Sequence, residues 1–514
     1  MKKYTTYKTA LIILLFAVIL SCGRSFLDVA PQGQVTEEQA LTDPAAADKM
    51  VAGIYNQLYS QGTFGVFWSV LGNIASDDAD KGSTPSDNGF NSGDVDNFTF
   101  TPAAIYTVFN NVWTNNYSGI VRANKALSIL DQSSIDGGIK NRLTGEAKFL
   151  RGLFYFNLVR AFGGVPKIIR TPADPQEGNS DEFQTRVSAQ EIYNQIVADF
   201  QVAVDNLPAK GDAGTQVGRA NKGAAQAILA KVYLYLKDWQ KAYDLSFAVM
   251  QSGKYSLATD YAAVFRESGN NNSESVFEIQ TGPSRSNSGA CDGVSPSYGV
   301  YQGVRARSGW PSNRIAGKTY SGDLGFGLNN PSADLANAYE GKDVRKAGTI
   351  IFINQSGPTI LWDGFRIPKG DSVENQRYNY KSYHSPFLES VPCNGDINNK
   401  DNWPINIRVM RFSEVLLINA EAAMHIGQDA VTPLTRVRQR AGLDPAPATE
   451  ENIWKERRVE LAMESDRFFD LVRQGRAASV LASKGFVAGK NELFPIPQAQ
   501  IDLSGNRLKQ NPGY

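Results

Sequence analysis

The fold of this chain is decided by the stretch Glu146-Ala-Lys-Phe-Leu-Arg-Gly-Leu-Phe-Tyr-Phe156, which runs on to Phe162-Gly-Gly-Val-Pro166. Apolar residues recur here at spacings of three, four or seven, which predicts one buried stripe along a long α-helix. Gly163, Gly164 and Pro166 predict the end of that helix, because neither residue type continues a helix well. The stripe consists of Leu143, Ala147, Leu150, Phe154, Leu158 and Phe162.

Further amphipathic helices are predicted on both sides of this one. Two capping-box patterns, Thr36 with Gln39 and Ser188 with Glu191, predict helix starts. Successive helices with small residues at their contacts favour antiparallel pairs like tetratricopeptide repeats, which are about 34 residues long. We therefore predict a mainly α fold built on a helical-repeat scaffold. Other predicted helices are residues 219–236, 239–251 and 411–426, with more helix to about residue 474.

Two regions interrupt the helical periodicity and divide the chain. Residues 76–102 are rich in Ser, Asp, Gly and Asn and predict a long surface loop. Residues 255–405 predict an irregular, loop-rich insertion with short strands near 276–279 and 349–353. Loops on a rigid scaffold are where binding residues concentrate. The predicted organisation is a signal peptide (1–21), a tether (22–35), an N-terminal helical part (36–254), a ligand-binding insertion (255–405) and a C-terminal helical part with a tail (406–514).

Composition excludes several classes of protein. The 514 residues include 52 Lys plus Arg and 52 Asp plus Glu, and this zero net charge argues against a nucleic-acid binder. Two His and three Cys leave little for a structural zinc site, which needs four such ligands, and too little for a disulfide scaffold. We expect no metal and no cofactor.

The first residues have the pattern of an export signal. Lys2, Lys3 and Lys8 precede the apolar run 11–20, which is too short to span a bilayer. Ser21-Cys22 follows and resembles the lipobox of bacterial lipoproteins, which implies cleavage before Cys22 and lipidation of that residue. An ordinary signal peptide with an incidental Cys, or an uncut anchor, remain the alternatives. Whether the other two cysteines, Cys291 and Cys393, form a disulfide stays open.

Several further motifs in the chain resemble those of the SusD/RagB family. They follow one another in order from end to end, and include the stretch quoted above. The resemblance implies an outer-membrane lipoprotein without catalytic activity, which captures a nutrient, usually an oligosaccharide, and covers a TonB-dependent SusC-like transporter. The other motifs are Phe26-Leu-Asp-Val-Ala-Pro31, Arg411-Phe-Ser-Glu-Val-Leu-Leu417, Arg436-Val-Arg-Gln-Arg-Ala-Gly-Leu443, Glu456-Arg-Arg-Val-Glu-Leu461, Asp466-Arg-Phe-Phe-Asp-Leu471, Phe494-Pro-Ile-Pro497 and Gln510-Asn-Pro-Gly-Tyr514.

The predicted glycan site draws on aromatic rings in the polar insertion. A sugar offers C–H groups to a ring face and hydroxyls to polar neighbours, and the resemblance implies binding loops near 76–102 and 290–320. The alternative for each ring is a local loop core. The acidic run Asp77-Asp-Ala-Asp80 is open to three interpretations: a solvated loop, a glycan contact or a metal site. The predicted ligand-binding residues are Trp310, Tyr298, Tyr301, Tyr320, Arg305, Arg307, Asn313, Asp78 and Lys81, and Trp362 lies in similar sequence.

We weighed other functions against glycan capture. A RagB-type lipoprotein would bind peptides, and a lid without its own ligand is also possible. A glycoside hydrolase would need two carboxylates, and Glu460 and Glu464 share a helix face. Nearby arginines would keep both ionised, which removes the proton that a general acid donates. His384 and His425 lack a catalytic partner pattern. The leading prediction is a non-catalytic, cell-surface glycan-binding lipoprotein.

Overall fold

The computed structural model describes residues 36–281, 297–391, 395–400 and 403–514. The predicted signal peptide, the tether and all three cysteines (Cys22, Cys291 and Cys393) lie outside these residues. The described chain is mainly α, as predicted. Its long helices are α1 (Pro44–Tyr55), α2 (Asn110–Gln132), α3 (Gly137–Phe162), α4 (Ala189–Asn206), α5 (Lys222–Leu236), α6 (Trp239–Gln251), α7 (Phe412–His425), α8 (Val431–Arg440), α9 (Glu450–Glu460) and α10 (Arg467–Arg473).

Consecutive long helices pack against one another from α2 to α6, which is the pairing that the periodicity predicts. Helix α3 is buried along most of its length and ends at Phe162, just before the glycine pair. The helices approach closely where glycines lie: a Cβ at Gly119 would come within 2.3 Å of the Phe154 ring. Both predicted capping boxes, at Thr36 and Ser188, are present.

Shorter helical segments connect these helices and form much of the C-terminal tail. Among the described residues, no helix is long and apolar enough to cross a membrane. The short α-helices and 3₁₀ or π turns are Glu37–Thr42, Asn56–Tyr59, Val66–Ser69, Val70–Ile74, Ser92–Asp96, Pro102–Ala104, Ile105–Phe109, Pro175–Gly178, Asp181–Gln184, Ala262–Phe265, Glu267–Gly269, Tyr298–Gln302, Ala333–Ala338, Arg345–Thr349, Gly370–Ser372, Ala477–Val480, Ala482–Lys484 and Gln498–Leu503.

The strands form five antiparallel two-stranded pairs in the described part of the chain. One pair joins β2 (Ser275–Ile279), near the start of the predicted insertion, to β10 (Ile407–Arg411), just after its end. Helix α6 also packs against α7, although the insertion separates them in sequence. The strands are β1 (Ala79–Gly82), β2 (Ser275–Ile279), β3 (Asn313–Ile315), β4 (Lys318–Tyr320), β5 (Leu328–Pro331), β6 (Ile350–Phe352), β7 (Thr359–Ile360), β8 (Arg366–Ile367), β9 (Arg377–Asn379) and β10 (Ile407–Arg411), and the other pairs are β1–β5, β3–β4, β6–β9 and β7–β8.

Residues 76–102 are not the plain surface loop that their composition predicts. They contain strand β1 and bury two rings, Phe98 and Phe100. Phe98 packs edge-on against Phe486 with the ring centroids 5.3 Å apart, and Phe100 packs in the same way against Phe109 at 5.1 Å. These aromatic contacts tie the loop to the scaffold, so the prediction of a surface loop is wrong for this part.

The insertion has a hydrophobic cluster of its own, apart from the large core of the scaffold. Its rings include Trp310, Tyr320, Phe365, Phe387 and Trp403. Tyr320 lies 5.7 Å from Phe365 and 5.9 Å from Trp403 between ring centroids. The short strands are therefore positioned by a packed aromatic centre, and the surrounding loops extend from it.

Candidate functional site

The two carboxylates that a hydrolase would need, Glu460 and Glu464, lie in a buried ion network. Glu460 accepts hydrogen bonds from Arg411 at 2.8 Å and from Arg440 at 2.5 Å. Glu464 pairs with Arg411 at 2.7 Å and with Lys381 at 2.6 Å. The prediction that arginines keep both carboxylates paired is confirmed, but their partners come from other segments of the chain. Glu460 is the last residue of α9, so Glu464 lies beyond that helix and the predicted shared helix face is wrong.

The electrostatics of this network exclude a general acid at Glu460 and Glu464. Burial raises the pKa of the Glu460 carboxyl, but Arg440, Arg411 and Arg345 outweigh it and hold that pKa well below its ordinary value. Burial likewise opposes ionisation of Glu464, and Arg411 and Lys381 lower its pKa. A general acid needs a proton near neutral pH, and neither group holds one.

A second region lies where residues 76–102 meet the insertion. Strand β1 pairs with β5, and Ser83 N donates a hydrogen bond to Gly327 O at 2.5 Å. Arg305, from the insertion, contacts the Ser83 hydroxyl and the Asp87 carboxylate. The structure thus brings the two predicted binding loops together, and we call their meeting place the junction.

Phe90 presents an aromatic face at this junction. Its side chain is 51% exposed, and its other face stacks on Tyr301 with the ring centroids 6.1 Å apart and the planes at 24°. Phe67 contacts it edge-on at 6.3 Å. The backbone of Phe90 is left-handed, with φ 58°, a strained conformation for a bulky residue that occurs often at ligand sites.

Polar side chains flank Phe90 in sequence and bond to one another. Asn91, also left-handed at φ 63°, donates its side-chain amide to Thr107 Oγ1 at 3.0 Å. Exposed Asn88 donates to Asn91 Oδ1 at 3.4 Å, and Asp94 Oδ2 accepts the Thr101 hydroxyl. An aromatic face with amides and a carboxylate beside it has the composition of a site for a polar ring such as a sugar.

A polar cleft opens at the same junction, with a volume of about 200 Å³. Strand β1 contributes Asp80 and Gly82 to its lining, β5 contributes Asn330 and Pro331, and residues 374–377 form the remaining wall. We call it the junction cleft. Its side chains combine amides, carboxylates and one arginine, so it can both donate and accept hydrogen bonds.

The predicted aromatic residues mostly have packing roles in the structure. Tyr301 and Tyr320 are fully buried, and Trp310 is 9% exposed with its Nε1 donating to Ser372 O at 3.1 Å. Tyr298 is half-buried and lines a cavity of about 60 Å³ between the scaffold and the insertion. Trp362, 45% exposed, has Arg266 at 5.7 Å from its ring centroid. Tyr301 nevertheless contributes to the junction, because its ring stacks on the inner face of Phe90.

Among the predicted polar residues, Arg305 and Lys81 lie at the junction. The Lys81 ammonium group donates to the carbonyls of Thr84, at 2.8 Å, and of Asp87. Arg307 is exposed and lies 3.5 Å from the Glu374 carboxylate, on the wall of the junction cleft. Asn313 instead exchanges two hydrogen bonds with the backbone of Arg366, which fixes the insertion.

The acidic run at 77–80 is not a solvated loop. Asp78 is buried and accepts a hydrogen bond from Arg458 Nε at 2.8 Å. Asp77 accepts from Nε and Nη2 of Arg467 at 2.7 and 2.8 Å. These pairs tie the loop to α9 and α10. In the part of the chain that the structure describes, no group of three or more His, Cys, Asp or Glu could hold a metal ion.

A groove larger than the junction cleft lies along α2 on the helical scaffold. Its volume is about 540 Å³, and its lining includes Trp113, Tyr117 and Val121 from α2 and Leu503 from the tail. Leu503 is 76% exposed. This groove is mainly apolar, so it suits a protein surface better than a sugar.

The sequence analysis missed three junction residues, Phe90, Asn330 and Asn375. Phe90 carries a usable signal, because Gly89-Phe90-Asn91 places a ring between two residues that favour left-handed turns. Asn330 and Asn375 carry no such signal in the sequence. Asn330 comes near Asp80 only because strand β5 pairs with β1.

Comparisons with known proteins agree with this architecture. One family model, described as starch-binding and associating with the outer membrane, matches residues 25–234, and the SusD family model matches residues 273–514. A SusD-like protein of Formosa agariphila is 27% identical, with both chains covered in full. One of Bacteroides ovatus is 26% identical over 89% of this chain and 80% of its own.

Solved structures extend the agreement to the fold. A laminarin-binding SusD-like protein is 30% identical with a TM-score of 0.76, covering 91% of this chain and 99% of its own. A surface glycan-binding protein of Bacteroides thetaiotaomicron, in complex with laminarihexaose, has the same fold with a TM-score of 0.73 at 22% identity, covering 91% of this chain and 99% of its own. The predicted tetratricopeptide-like fold is confirmed, and the chain belongs to the SusD/RagB family.

Proposed function

We propose that this protein is a non-catalytic, cell-surface lipoprotein that binds an oligosaccharide at the junction, with a sugar ring stacked on Phe90. The observation that carries the proposal is a solvent-facing ring already held in place by Tyr301 and Phe67. A ring fixed before binding loses little conformational entropy when a ligand arrives. We expect affinities from micromolar to millimolar, about −4 to −8 kcal/mol.

The absence of catalysis in this proposal is supported by the state of three carboxylates. The carboxylates of Glu460 and Glu464 are buried in ion pairs and kept ionised. At the junction, Asp87 is paired with Arg305, and hydrogen bonds from Gly89 N and Ser83 help to lower its pKa against the effect of burial. A glycosidase needs one carboxyl group with a raised pKa beside the scissile bond, and none of these three ion-paired groups is in such a state. Asp80 in the junction cleft is the group to test for such a role, because burial and the nearby Asp96 raise its pKa against the effect of Lys484 and Arg377.

The glycan class we propose is laminarin or a similar uncharged polysaccharide. Its support is the family member described as laminarin-binding, which is 30% identical over nearly its whole length. The junction suits an uncharged chain, because Asp87 is paired with Arg305 and Glu374 lies 3.5 Å from Arg307. Laminarin is therefore the first polysaccharide to test.

Affinity electrophoresis tests this proposal. The full chain without the predicted signal peptide should be retarded in a laminarin gel, and Phe90→Ala should abolish the retardation. Phe247→Ala is the matched control, because Phe247 is 40% exposed and stacks on Tyr243 at 5.4 Å, but lies on α6 of the scaffold. Unchanged migration of the wild-type protein across laminarin and a panel of other polysaccharides would refute glycan binding and favour a peptide ligand.

The proposal includes delivery of the glycan to a TonB-dependent SusC-like transporter in the outer membrane, with Cys22 lipidated as the anchor. The family description places such proteins at the outer membrane. We assign the partner surface to the apolar groove on α2, because Leu503 and Val121 expose apolar side chains there. Leu503→Asp should weaken co-purification of the transporter while leaving retardation in glycan gels unchanged.

A further inference from the structure

The junction cleft contains a buried amide that the protein leaves unsatisfied. Asn330 is only 5% exposed, yet neither its Nδ2 nor its Oδ1 has a hydrogen-bond partner among the described residues. Burying such a group without a partner costs about 1–3 kcal/mol. Native proteins contain few groups of this kind, and each calls for a physical explanation.

A second amide in the cleft is half satisfied. Asn375 donates its Nδ2 to Ser83 O at 3.3 Å, but its Oδ1 has no partner within the described residues. By contrast, Asn379, 2% exposed, donates to Gln302 Oε1 at 2.6 Å and accepts from Lys381 N at 3.0 Å. Single unused amide oxygens also occur outside the cleft, at Asn329 and Gln474. Among the buried amides of the described residues, Asn330 alone has both its donor and its acceptor unused.

The backbone holds Asn330 in this position. Strand register places Asp80 opposite Asn330 across the β1–β5 pair. Gly82 lies beside it with φ 76°, and a Cβ there would come within 2.6 Å of Asn330 Nδ2. A side chain at position 82 would therefore displace the amide, so the glycine keeps room for the asparagine within the cleft.

The charges in the cleft favour an uncharged ligand. Asp80 and Glu374 supply two carboxylates, while Arg377 lines the same cleft and Arg307 lies 3.5 Å from Glu374. The balance of two negative and two positive groups leaves no excess for an ion. A hydroxyl group both donates and accepts a hydrogen bond, so hydroxyls match an amide whose donor and acceptor are both unused.

The cleft connects to the Phe90 face through direct contacts. Glu374 N donates to Arg305 O at 3.1 Å, and the guanidinium of Arg305 pairs with Asp87. Asp87 Oδ1 in turn accepts from Gly89 N at 2.9 Å, next to Phe90. These contacts connect the wall of the cleft to the turn that carries Phe90.

We propose that the junction cleft is a second sugar subsite, in which hydroxyls of one uncharged sugar unit bond to Asn330 and Asn375. This inference rests on the proposed glycan-binding function and assigns the two parts of the site different roles. The Phe90 ring supplies affinity for any flat sugar face. The cleft supplies selectivity for hydroxyl configuration, because a sugar that fails to reach the buried amides leaves them unsatisfied.

The substitution Asn330→Leu tests the subsite. Leucine has nearly the same shape without polar atoms, so it removes the unsatisfied amide. We expect the dissociation constant for laminarihexaose, measured by calorimetry, to rise at least tenfold. We also expect the melting temperature of the ligand-free protein to stay the same or rise. The matched control, Asn379→Leu, removes a fully bonded amide and should lower the melting temperature.

The outcomes separate the two proposals. If Asn330→Leu binds laminarihexaose as the wild type does while Phe90→Ala does not, the subsite is wrong and the Phe90 site stands. If Asn330→Leu lowers the melting temperature as Asn379→Leu does, Asn330 is a structural residue and the subsite is again wrong. If the wild type itself fails to bind laminarihexaose, both the subsite and the choice of laminarin as the glycan are overturned.

Discussion

Two buried polar regions of this protein treat their hydrogen-bonding groups in opposite ways. In the ion network, Arg411 alone bonds to Glu274 at 2.6 Å, to Glu460 at 2.8 Å and to Glu464 at 2.7 Å. In the junction cleft, the side-chain amide of Asn330 bonds to nothing among the described residues. The network pairs its carboxylates from within the chain, with Arg440 Nε left over, whereas the Asn330 amide leaves both its donor and its acceptor unused.

On our proposal, the difference separates structural polar groups from groups that bind a ligand. A buried charge network rigidifies a unique arrangement when its members are paired. A buried amide without a partner lowers stability, and ligand binding is one explanation for its presence. Substitutions in the two regions should therefore affect stability and binding differently.

The largest effect should come from breaking the network at its centre. Arg411→Met keeps the apolar stem but leaves three buried carboxylates without their shared partner. We expect a loss of about 3–5 kcal/mol in the free energy of unfolding, because removing one partner of a buried ion pair leaves uncompensated charge. Urea unfolding followed by circular dichroism would measure this loss.

The matched control is Arg436→Met on α8. Arg436 has no ion-pair partner in the described chain and lies 5.3 Å from the Phe412 ring centroid. Its replacement should cost about 1 kcal/mol or less. Equal effects of the two substitutions would show that the network contributes no more than ordinary packing.

The next largest effect is a loss of stability at low pH through Asp470. Burial opposes ionisation of Asp470, but Arg457 and Arg473 outweigh it and lower its pKa from 3.8 to about 2. A depressed folded-state pKa stabilises the protein above the unfolded pKa, and this contribution disappears as pH falls through the folded pKa. For Asp470 it amounts to about 2 kcal/mol, lost between about pH 4 and pH 2.

Urea unfolding at a series of pH values would measure that slope. Asp470→Asn cannot titrate, so it should be less stable than the wild type at pH 6 and should lose less of its stability between pH 4 and pH 2. If both proteins lose the same amount of stability over that interval, the pKa of Asp470 is not depressed in the folded state.

The smallest effect should come from the half-exposed pair that joins the two loops. Arg305→Met breaks the contacts with Ser83 and Asp87. We expect a stability loss of about 1 kcal/mol or less, since partly exposed pairs contribute little. Glycan affinity should fall several-fold, because Asp87 positions the turn that carries Phe90.

Lys254→Met provides the reference for this pair, because Lys254 and Asp212 form an exposed bridge of 2.8 Å on the scaffold. It should change stability by about 1 kcal/mol or less and leave glycan affinity unchanged. If Arg305→Met binds laminarihexaose as tightly as the wild type, the Arg305 contacts are not needed for glycan binding.

Sequence patterns predicted the scaffold well, because helical periodicity is a local property. The stripe from Leu143 to Phe162 and both capping boxes need only neighbouring residues to be recognised. Sequence patterns also predicted that arginines pair with Glu460, but not which ones. Its partners Arg411 and Arg440 come from segments that only folding brings together.

The residues that we propose to bind glycan were harder to predict, because loop sequence does not reveal which rings face inward. Trp310 and Tyr320 lie in polar sequence, yet they pack into the separate core of the insertion. Phe90 lies in equally polar sequence and has a left-handed backbone. One face of its ring stacks on Tyr301, and its side chain stays half exposed. Burial here depends on long-range packing and on backbone dihedral angles, which composition does not encode.

The β2–β10 pair has a consequence for how this protein family can diversify. Register places Ile279 opposite Ile407, so the chain from 280 to 406 starts and ends at one point of the scaffold. Within this segment, Arg345 and Lys381 bond to Glu460 and Glu464, and β5 pairs with β1, so these parts are fixed by the rest of the chain. Loops of the segment away from these contacts can change in length at little cost, since doubling a loop costs only about 0.6 kcal/mol.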